Sequence, residues 1–148
     1  MGMDICSRPW VWRGYGSRAT TTHHAPHLQT FDEGGKIVNG NCYWIVATDV
    51  INVEKLLLIQ GIANTKLMTK YHDLVFTNKL YSGRRRYFTQ YVEKYPLPDI
   101  DSPISKEVIE LVKKLNNSNN KEITKELEYQ LEIKVAESFG VEPVFNLD

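Results

Sequence analysis

Hydrophobic residues recur at helical spacing through the second half of the chain and form two dense runs before it. Between Val53 and Ala63 the apolar residues leave little polar face, which predicts a helix buried on most sides. A second helix is predicted by apolar residues at helical spacing, namely Leu67, Met68, Tyr71, Leu74 and Val75. We expect both segments to supply core side chains.

Two further helices are predicted in the C-terminal third of the chain. Ser102 followed by Pro103 is typical of a helix start, because serine caps free amide groups and proline fits the first helical position. The apolar stripe of this helix is Ile104, Val108, Leu111, Val112 and Leu115. The last helix is expected over residues 122–139, with apolar residues spaced by four and Gly140 as its C-terminal cap.

Turn signals before residue 50 predict a β-hairpin over residues 36–48. Asn39-Gly40 is a strong hairpin signal, and residues 42–47 are rich in β-branched and aromatic side chains. The predicted fold class is therefore α+β. In this prediction a small antiparallel sheet, based on the hairpin, packs on two buried helices and is followed by two C-terminal helices.

Composition and targeting signals narrow the class of protein. The sequence is 42% hydrophobic and 24% charged, which is typical of a globular protein. No apolar run approaches the roughly 18 residues of a membrane span, and the N-terminal residues do not resemble a signal peptide. Two cysteines, Cys6 and Cys42, are too few for a disulfide scaffold, so we expect a reducing, cytoplasmic location.

Positive charge is concentrated in the middle of the chain, although the net charge is zero. Residues 66–100 hold seven basic and three acidic groups, whereas residues 101–148 hold six basic and ten acidic groups. Aromatic residues flank three consecutive arginines in the run Tyr81-Ser82-Gly83-Arg84-Arg85-Arg86-Tyr87-Phe88. Arginine binds phosphates and aromatic rings stack on bases, so this run predicts DNA binding. The alternative is a solvated surface loop whose arginines pair with carboxylates.

The residues predicted to contact DNA are the basic residues of this region and the turn and aromatic residues beside them: Lys66, Lys70, Lys79, Tyr81, Ser82, Gly83, Arg84, Arg85, Arg86 and Tyr87. We expect the three arginines to divide between phosphate and base contacts, because arginine makes both kinds. The lysines are expected to hold phosphates. The two tyrosines are expected to stack or to position the turn.

Other chemistry has less support in the sequence. Asp99 and Asp101 lie in a turn, where they either cap the following helix or bind the metal of a nuclease. The histidines at positions 23, 24 and 27 have only single, widely separated cysteines as companions, so no metal site is expected. No glycine-rich phosphate loop is recognisable, and no cofactor site is expected in this chain.

Three stretches together resemble a known family of DNA-modifying enzymes. They are residues 64–68, the arginine run at 81–88, and residues 91–98 with their Pro-Leu-Pro exit. In this order they resemble the specificity region of adenine-N6 DNA methyltransferases, most nearly the C-terminal target-recognition part of bifunctional type II restriction-modification enzymes. The resemblance is best over about residues 28–115.

The resemblance implies three regions and a function. It implies a poorly defined N-terminal segment (1–27), a target-recognition-like core (28–100) and a C-terminal helical segment (101–148). That family's catalytic half carries an Asn-Pro-Pro-Tyr-type motif and a glycine-rich loop for S-adenosylmethionine, and this sequence has neither. The implied function is therefore binding of double-stranded DNA without catalysis, with S-adenosylmethionine expected in a catalytic partner domain or subunit.

Two alternative functions remain open from the sequence. The first is a helical interaction module that binds a methyltransferase subunit through the acidic C-terminal helices. The second is a small nuclease that uses Asp99 and Asp101 as its metal ligands.

Overall fold

A computed structural model describes residues 9–13, 28–30, 42–46, 50–76 and 89–147. The helices of this part of the chain are α1 (Val50–Ala63), α2 (Lys66–Phe76), α3 (Thr89–Val92), α4 (Pro103–Asn117) and α5 (Lys121–Ser138). Its strands are β1 (Pro9–Arg13), β2 (Leu28–Thr30) and β3 (Cys42–Val46). None of the described helices combines the length and the apolar character needed to cross a membrane.

The three short strands pair through their backbones in the order β2-β1-β3, and both pairs are antiparallel. The register of β1 with β3 runs from Pro9 opposite Val46 to Arg13 opposite Cys42. The predicted hairpin would have paired residues 42–46 with the residues just before them. Residues 36–41, the other part of that hairpin, lie outside the described part of the chain. The strand that pairs with β3 therefore comes from a distant part of the sequence.

The described hydrophobic core is built from four helices. α1 packs on α4, α4 packs on α5, and α2 contacts both α1 and α5. The side chains that are almost completely removed from solvent include Leu58, Ile62, Met68, Val108, Val112 and Val135. Burial of each such side chain contributes about 1.5–3 kcal/mol to folding. The helices before and after the arginine run thus share one core.

The predicted α+β fold class is wrong, because the core is helical. Within residues 53–76 and 90–147, every buried hydrophobic side chain belongs to α1, α2, α4 or α5. The two helices expected to lie beneath a sheet instead pack against the two C-terminal helices. The apolar stripes of α4 and α5 provide the partner surface that the prediction had assigned to strands.

A glycine allows α1 and α4 to pack closely. A Cβ atom placed on Gly61 would lie 2.7 Å from Val112 Cγ2 and 3.0 Å from Val108 Cγ1. Separations this short force side chains to move, and the two valines are among the most buried residues of the core. Gly61 is therefore required by the packing of the two helices.

The ends of the C-terminal helices confirm the predicted start and stop signals. Ser102 is the N-cap of α4, and its side chain accepts a hydrogen bond from the Ser105 backbone amide, with Pro103 at the first helical position. Beyond α5, Gly140 has a φ of +66°, a backbone conformation that favours glycine. These signals are local, which is why the sequence alone predicts them.

Candidate nucleic-acid interface

Most of the predicted DNA-contacting residues lie in the stretch between α2 and α3, which we call the arginine segment (residues 77–88). It falls outside the described residues, and with it the following predicted contacts: Lys79, Tyr81, Ser82, Gly83, Arg84, Arg85, Arg86 and Tyr87. The described structure does include the residues from which this segment leaves and to which it returns. The described structure therefore shows how the residues before and after the arginine segment are arranged.

The described residues on either side of the arginine segment lie close together in space. Phe76 is the last residue of α2, and its ring stacks on that of Tyr91 in α3 with centroids 4.7 Å apart and planes 22° apart. Phe76 also contacts the ring of Tyr95, at a centroid distance of 6.5 Å. Stacked aromatic pairs contribute about 0.5–1.5 kcal/mol beyond their burial. The described residues that flank the arginine segment therefore lie close to one another.

Five rings pack together at this place, and we call them the ring cluster: Tyr71, His72, Phe76, Tyr91 and Tyr95. The first three belong to α2, while the last two lie after the arginine segment. Tyr71 meets Tyr95 edge-on at 6.2 Å, and His72 lies 5.2 Å from the ring of Phe76 four residues later. The cluster joins the residues on either side of the arginine segment.

His72 is the most buried member of the ring cluster, with 1% of its surface exposed. Its Nδ1 atom lies 2.9 Å from the Tyr95 hydroxyl oxygen, and the two groups share a hydrogen bond. His72 is therefore both buried and hydrogen-bonded. Burying an imidazole without a partner is costly, so the Tyr95 hydroxyl helps to stabilise His72 in the core.

The two described lysines of the predicted interface occupy different environments. Lys70 is exposed on α2, directly before Tyr71 of the ring cluster. Lys66 is also exposed, but its Nζ atom donates a hydrogen bond to the Phe145 carbonyl oxygen at 2.8 Å. Lys66 therefore contacts the C-terminal residues of the described chain.

A buried carboxylate lies at the start of α2. Glu132 of α5 is 8% exposed, and its Oε1 atom accepts a hydrogen bond from the Lys66 backbone amide at 2.8 Å. Burial raises the pKa of the Glu132 carboxyl, while the amide hydrogen bond and the charge of Lys66 oppose that rise. A carboxylate at a helix N-terminus satisfies a free amide and matches the positive end of the helix dipole. Glu132 thus fixes α2 on α5.

Asp99 and Asp101 have local structural contacts. The Asp101 backbone amide donates to Asp99 Oδ1 at 3.1 Å, and the Ser102 amide donates to the Asp99 carbonyl oxygen at 3.2 Å. Both side chains are exposed. These bonds form the turn that precedes α4, and the N-cap of that helix is Ser102 rather than either aspartate.

Two residues near the interface, Phe76 and His72, were not among the predicted site residues. The apolar residues that predicted this helix end at Val75, before Phe76, and nothing in the sequence identified the residues that pack on either ring. Tyr91 and Tyr95 are four residues apart and would share a face if both lay on one helix. Instead α3 ends at Val92, and both tyrosines still contact Phe76.

Comparison with known proteins gives one informative similarity. No family model matches the sequence. The chain is similar to part of a type II methyltransferase.

The relative in question is the type II methyltransferase M.BanIII of Aneurinibacillus aneurinilyticus, to which the chain is 48% identical over 113 residues. The match covers 76% of this chain but 20% of the relative, so the chain spans about a fifth of that protein's length. The predicted relation to methyltransferases is confirmed to this extent. The assignment to a target-recognition region stays a prediction.

Proposed function

We propose that this chain is the DNA-recognition part of a site-specific adenine-N6 DNA methyltransferase of a restriction-modification system. In this proposal it binds double-stranded DNA and has no catalytic site of its own. The observation that carries the proposal is the 48% identity to a type II methyltransferase over 113 residues, a match confined to a fifth of the relative.

The residues proposed to bind DNA are those predicted from the sequence. The arginine segment supplies Arg84, Arg85 and Arg86 for phosphate and base contacts, with Tyr81 and Tyr87 beside them. Lys70 is exposed on α2, which supports its proposed phosphate contact. The ring cluster supports the proposal because it joins the residues that flank the arginine segment on a helical core, and rigid elements are a suitable support for a binding site.

Methyl transfer is proposed to take place elsewhere. S-adenosylmethionine and the flipped adenine would be held by a catalytic domain or subunit that works with this chain in the cytoplasm. The recognition part would supply sequence selectivity and the catalytic part the chemistry.

Selection from a pool of random DNA duplexes tests this function. The purified chain is expected to retain duplexes that share a short motif and to release them as the salt concentration rises. Absence of affinity for any duplex at low salt would overturn the proposal. Methylation of the selected duplex by the pure chain with S-adenosylmethionine, or its cleavage with Mg²⁺, would overturn the claim that the chain has no catalytic site.

A helical interaction module is the second candidate function. The observation that favours it is the helical core, whose α5 carries more acidic than basic side chains, with Glu122, Glu126 and Glu128 exposed. Binding to a methyltransferase subunit without affinity for DNA would favour this function over DNA recognition.

A further inference from the structure

A groove lies between α4 and α5 at the surface of the helical core. It has a volume of about 560 Å³, is open to solvent, and has a mostly apolar surface. Its apolar lining residues are Leu111 of α4 and Ile133 of α5, and the lysines and glutamates around them add their methylene stems. An open apolar groove between two neighbouring helices is a surface on which a third helix packs, because helices fit side-chain ridges into such grooves.

The two walls of this α4–α5 groove are held together. Lys134 Nζ of α5 lies 2.8 Å from Glu107 Oε2 of α4, so an ion pair joins the two helices. Beneath the surface, Val112 of α4 and Val135 of α5 belong to the same buried core. The groove is therefore a formed feature of the helical core and needs no rearrangement of the helices to accept a partner.

The unpaired charge on the α4–α5 groove is positive. One of its two glutamates pairs with Lys134, and the other, Glu110, lies 2.6 Å from Lys113 Nζ. Lys106 and Lys114 also line the groove, and neither has an ion-pair partner among the residues that the structure describes. They are about two helical turns apart, or about 12 Å along the axis of α4. A partner helix with carboxylates at that spacing complements them.

The rest of a methyltransferase is the source of such a partner. The chain spans about a fifth of the length of the relative that it matches, so most of that enzyme lies outside the matched part. Parts of one enzyme commonly pack through interfaces of about 600–1,500 Å². None of the residues predicted to contact DNA lines the α4–α5 groove, so a protein partner there leaves them accessible.

Resting on the proposed function, we propose that the α4–α5 groove docks an acidic amphipathic helix from the catalytic part of the methyltransferase. The apolar stripe of that helix packs on Leu111 and Ile133. Its carboxylates, two turns apart, pair with Lys106 and Lys114. Docking of this kind fixes the catalytic part relative to the DNA-recognition part.

The test measures binding of labelled peptides to the full chain by fluorescence anisotropy. Overlapping peptides of roughly 20 residues, long enough for several helical turns, cover the sequence of the methyltransferase relative outside the match. The peptides that bind are expected to share one segment with an apolar stripe and carboxylates two turns apart. Peptides with the composition of that segment in scrambled order should not bind.

Charge reversal tests the two lysines. Lys106→Glu combined with Lys114→Glu should weaken peptide binding by about tenfold, because two attractive pairs become repulsive. Lys121→Glu combined with Lys125→Glu is the matched control, since it makes the same change of charge at exposed positions of α5 outside the groove. The control should weaken binding far less.

A substitution in the apolar lining tests the groove independently of charge. Ile133→Gln should weaken peptide binding by about fivefold to tenfold, because it removes an apolar contact from the interface. Ile123→Gln is the control, since it makes the same change on the same helix at a position that is 53% exposed and outside the groove. Thermal unfolding of each variant shows whether it is folded at the temperature of the binding assay.

The outcomes separate this inference from the proposed function. Binding of no peptide, or binding that the groove variants leave unchanged, would overturn the docking site. Self-association of the chain that the lysine reversal abolishes would assign the groove to a second copy and would also overturn it. DNA binding is measured without peptide, so each of these results leaves DNA recognition standing. A chain that binds the acidic segment but no duplex would overturn the proposed function and support the docking site.

Discussion

Gln60 and Asn116 exchange two hydrogen bonds through their side-chain amides. Gln60 Nε2 donates to Asn116 Oδ1 at 2.9 Å, and Asn116 Nδ2 donates to Gln60 Oε1 at 3.0 Å. Gln60 is buried in α1, and Asn116 lies in the last turn of α4. The pair therefore fixes the register of α1 against α4 where the apolar stripes end.

This amide pair should show a measurable coupling energy. In a double-mutant cycle with Gln60→Ala and Asn116→Ala, we expect the two changes to be non-additive by about 0.5–1.5 kcal/mol. Urea denaturation of the four proteins gives the free energies of unfolding. Additive losses would show that the two amides stabilise the fold independently.

Gly61→Ala should destabilise the fold by crowding α4. The added methyl group would lie 2.7 Å from Val112 Cγ2, so side chains must shift, at a cost of about 1–3 kcal/mol. Alanine's higher helix propensity recovers part of this cost. Thermal unfolding measures the effect, with Lys55→Ala at an exposed position of the same helix as control. A melting temperature for Gly61→Ala at or above that of the unsubstituted chain would contradict the close approach.

Glu132 should make stability depend on pH in an unusual direction for a carboxyl group. Because burial raises the pKa of Glu132 above its ordinary value of 4.5, the folded chain holds this proton more tightly than the unfolded chain does. The stability that Glu132 contributes is therefore fully present below pH 4.5 and is lost as the pH rises through the folded-state pKa.

Glu132→Gln removes this titration and isolates its effect. The variant should gain stability relative to the unsubstituted chain as the pH rises from below 4.5 towards neutrality. Below 4.5 both side chains are neutral, which provides an internal control for the amide substitution itself. Denaturant unfolding across this range measures the difference, and a difference that stays constant with pH would contradict the raised pKa.

Lys70 and Lys66 should differ in their effect on DNA binding. Lys70→Ala is expected to weaken binding to all duplexes similarly and to reduce the slope of log affinity against log salt by about 1. Lys66→Ala should change the slope less, because Lys66 Nζ already donates to the Phe145 carbonyl oxygen. Binding titrations at several salt concentrations compare the two variants. A larger change for Lys66→Ala would reverse this ranking.

Local patterns were sufficient to predict the helical elements. The apolar spacing predicted α1, α2, α4 and α5 with ends close to those observed, because an amphipathic helix repeats its apolar positions within one element. Ser102 and Gly140 were predicted as caps for the same reason, since a cap depends on neighbouring residues only.

Relationships between distant residues could not be predicted from local patterns. The predicted fold class was wrong because local patterns do not identify the packing partner of α1. In the structure α1 packs on α4. The ring cluster was missed because His72 and Tyr95 are brought together by tertiary packing. Of the predicted interface the structure describes only Lys66 and Lys70, and all of the predicted DNA contacts stay predictions.

The salt dependence of DNA binding by the arginine triplet tests the central claim most directly. Each phosphate contact that is lost reduces the slope of log affinity against log salt by about 0.9 for duplex DNA. If all three arginines contact phosphates, replacing Arg84, Arg85 and Arg86 together by alanine should therefore flatten the slope by about 2–3. The recognition account predicts this flattening together with a loss of affinity. An unchanged slope and an unchanged affinity would contradict it.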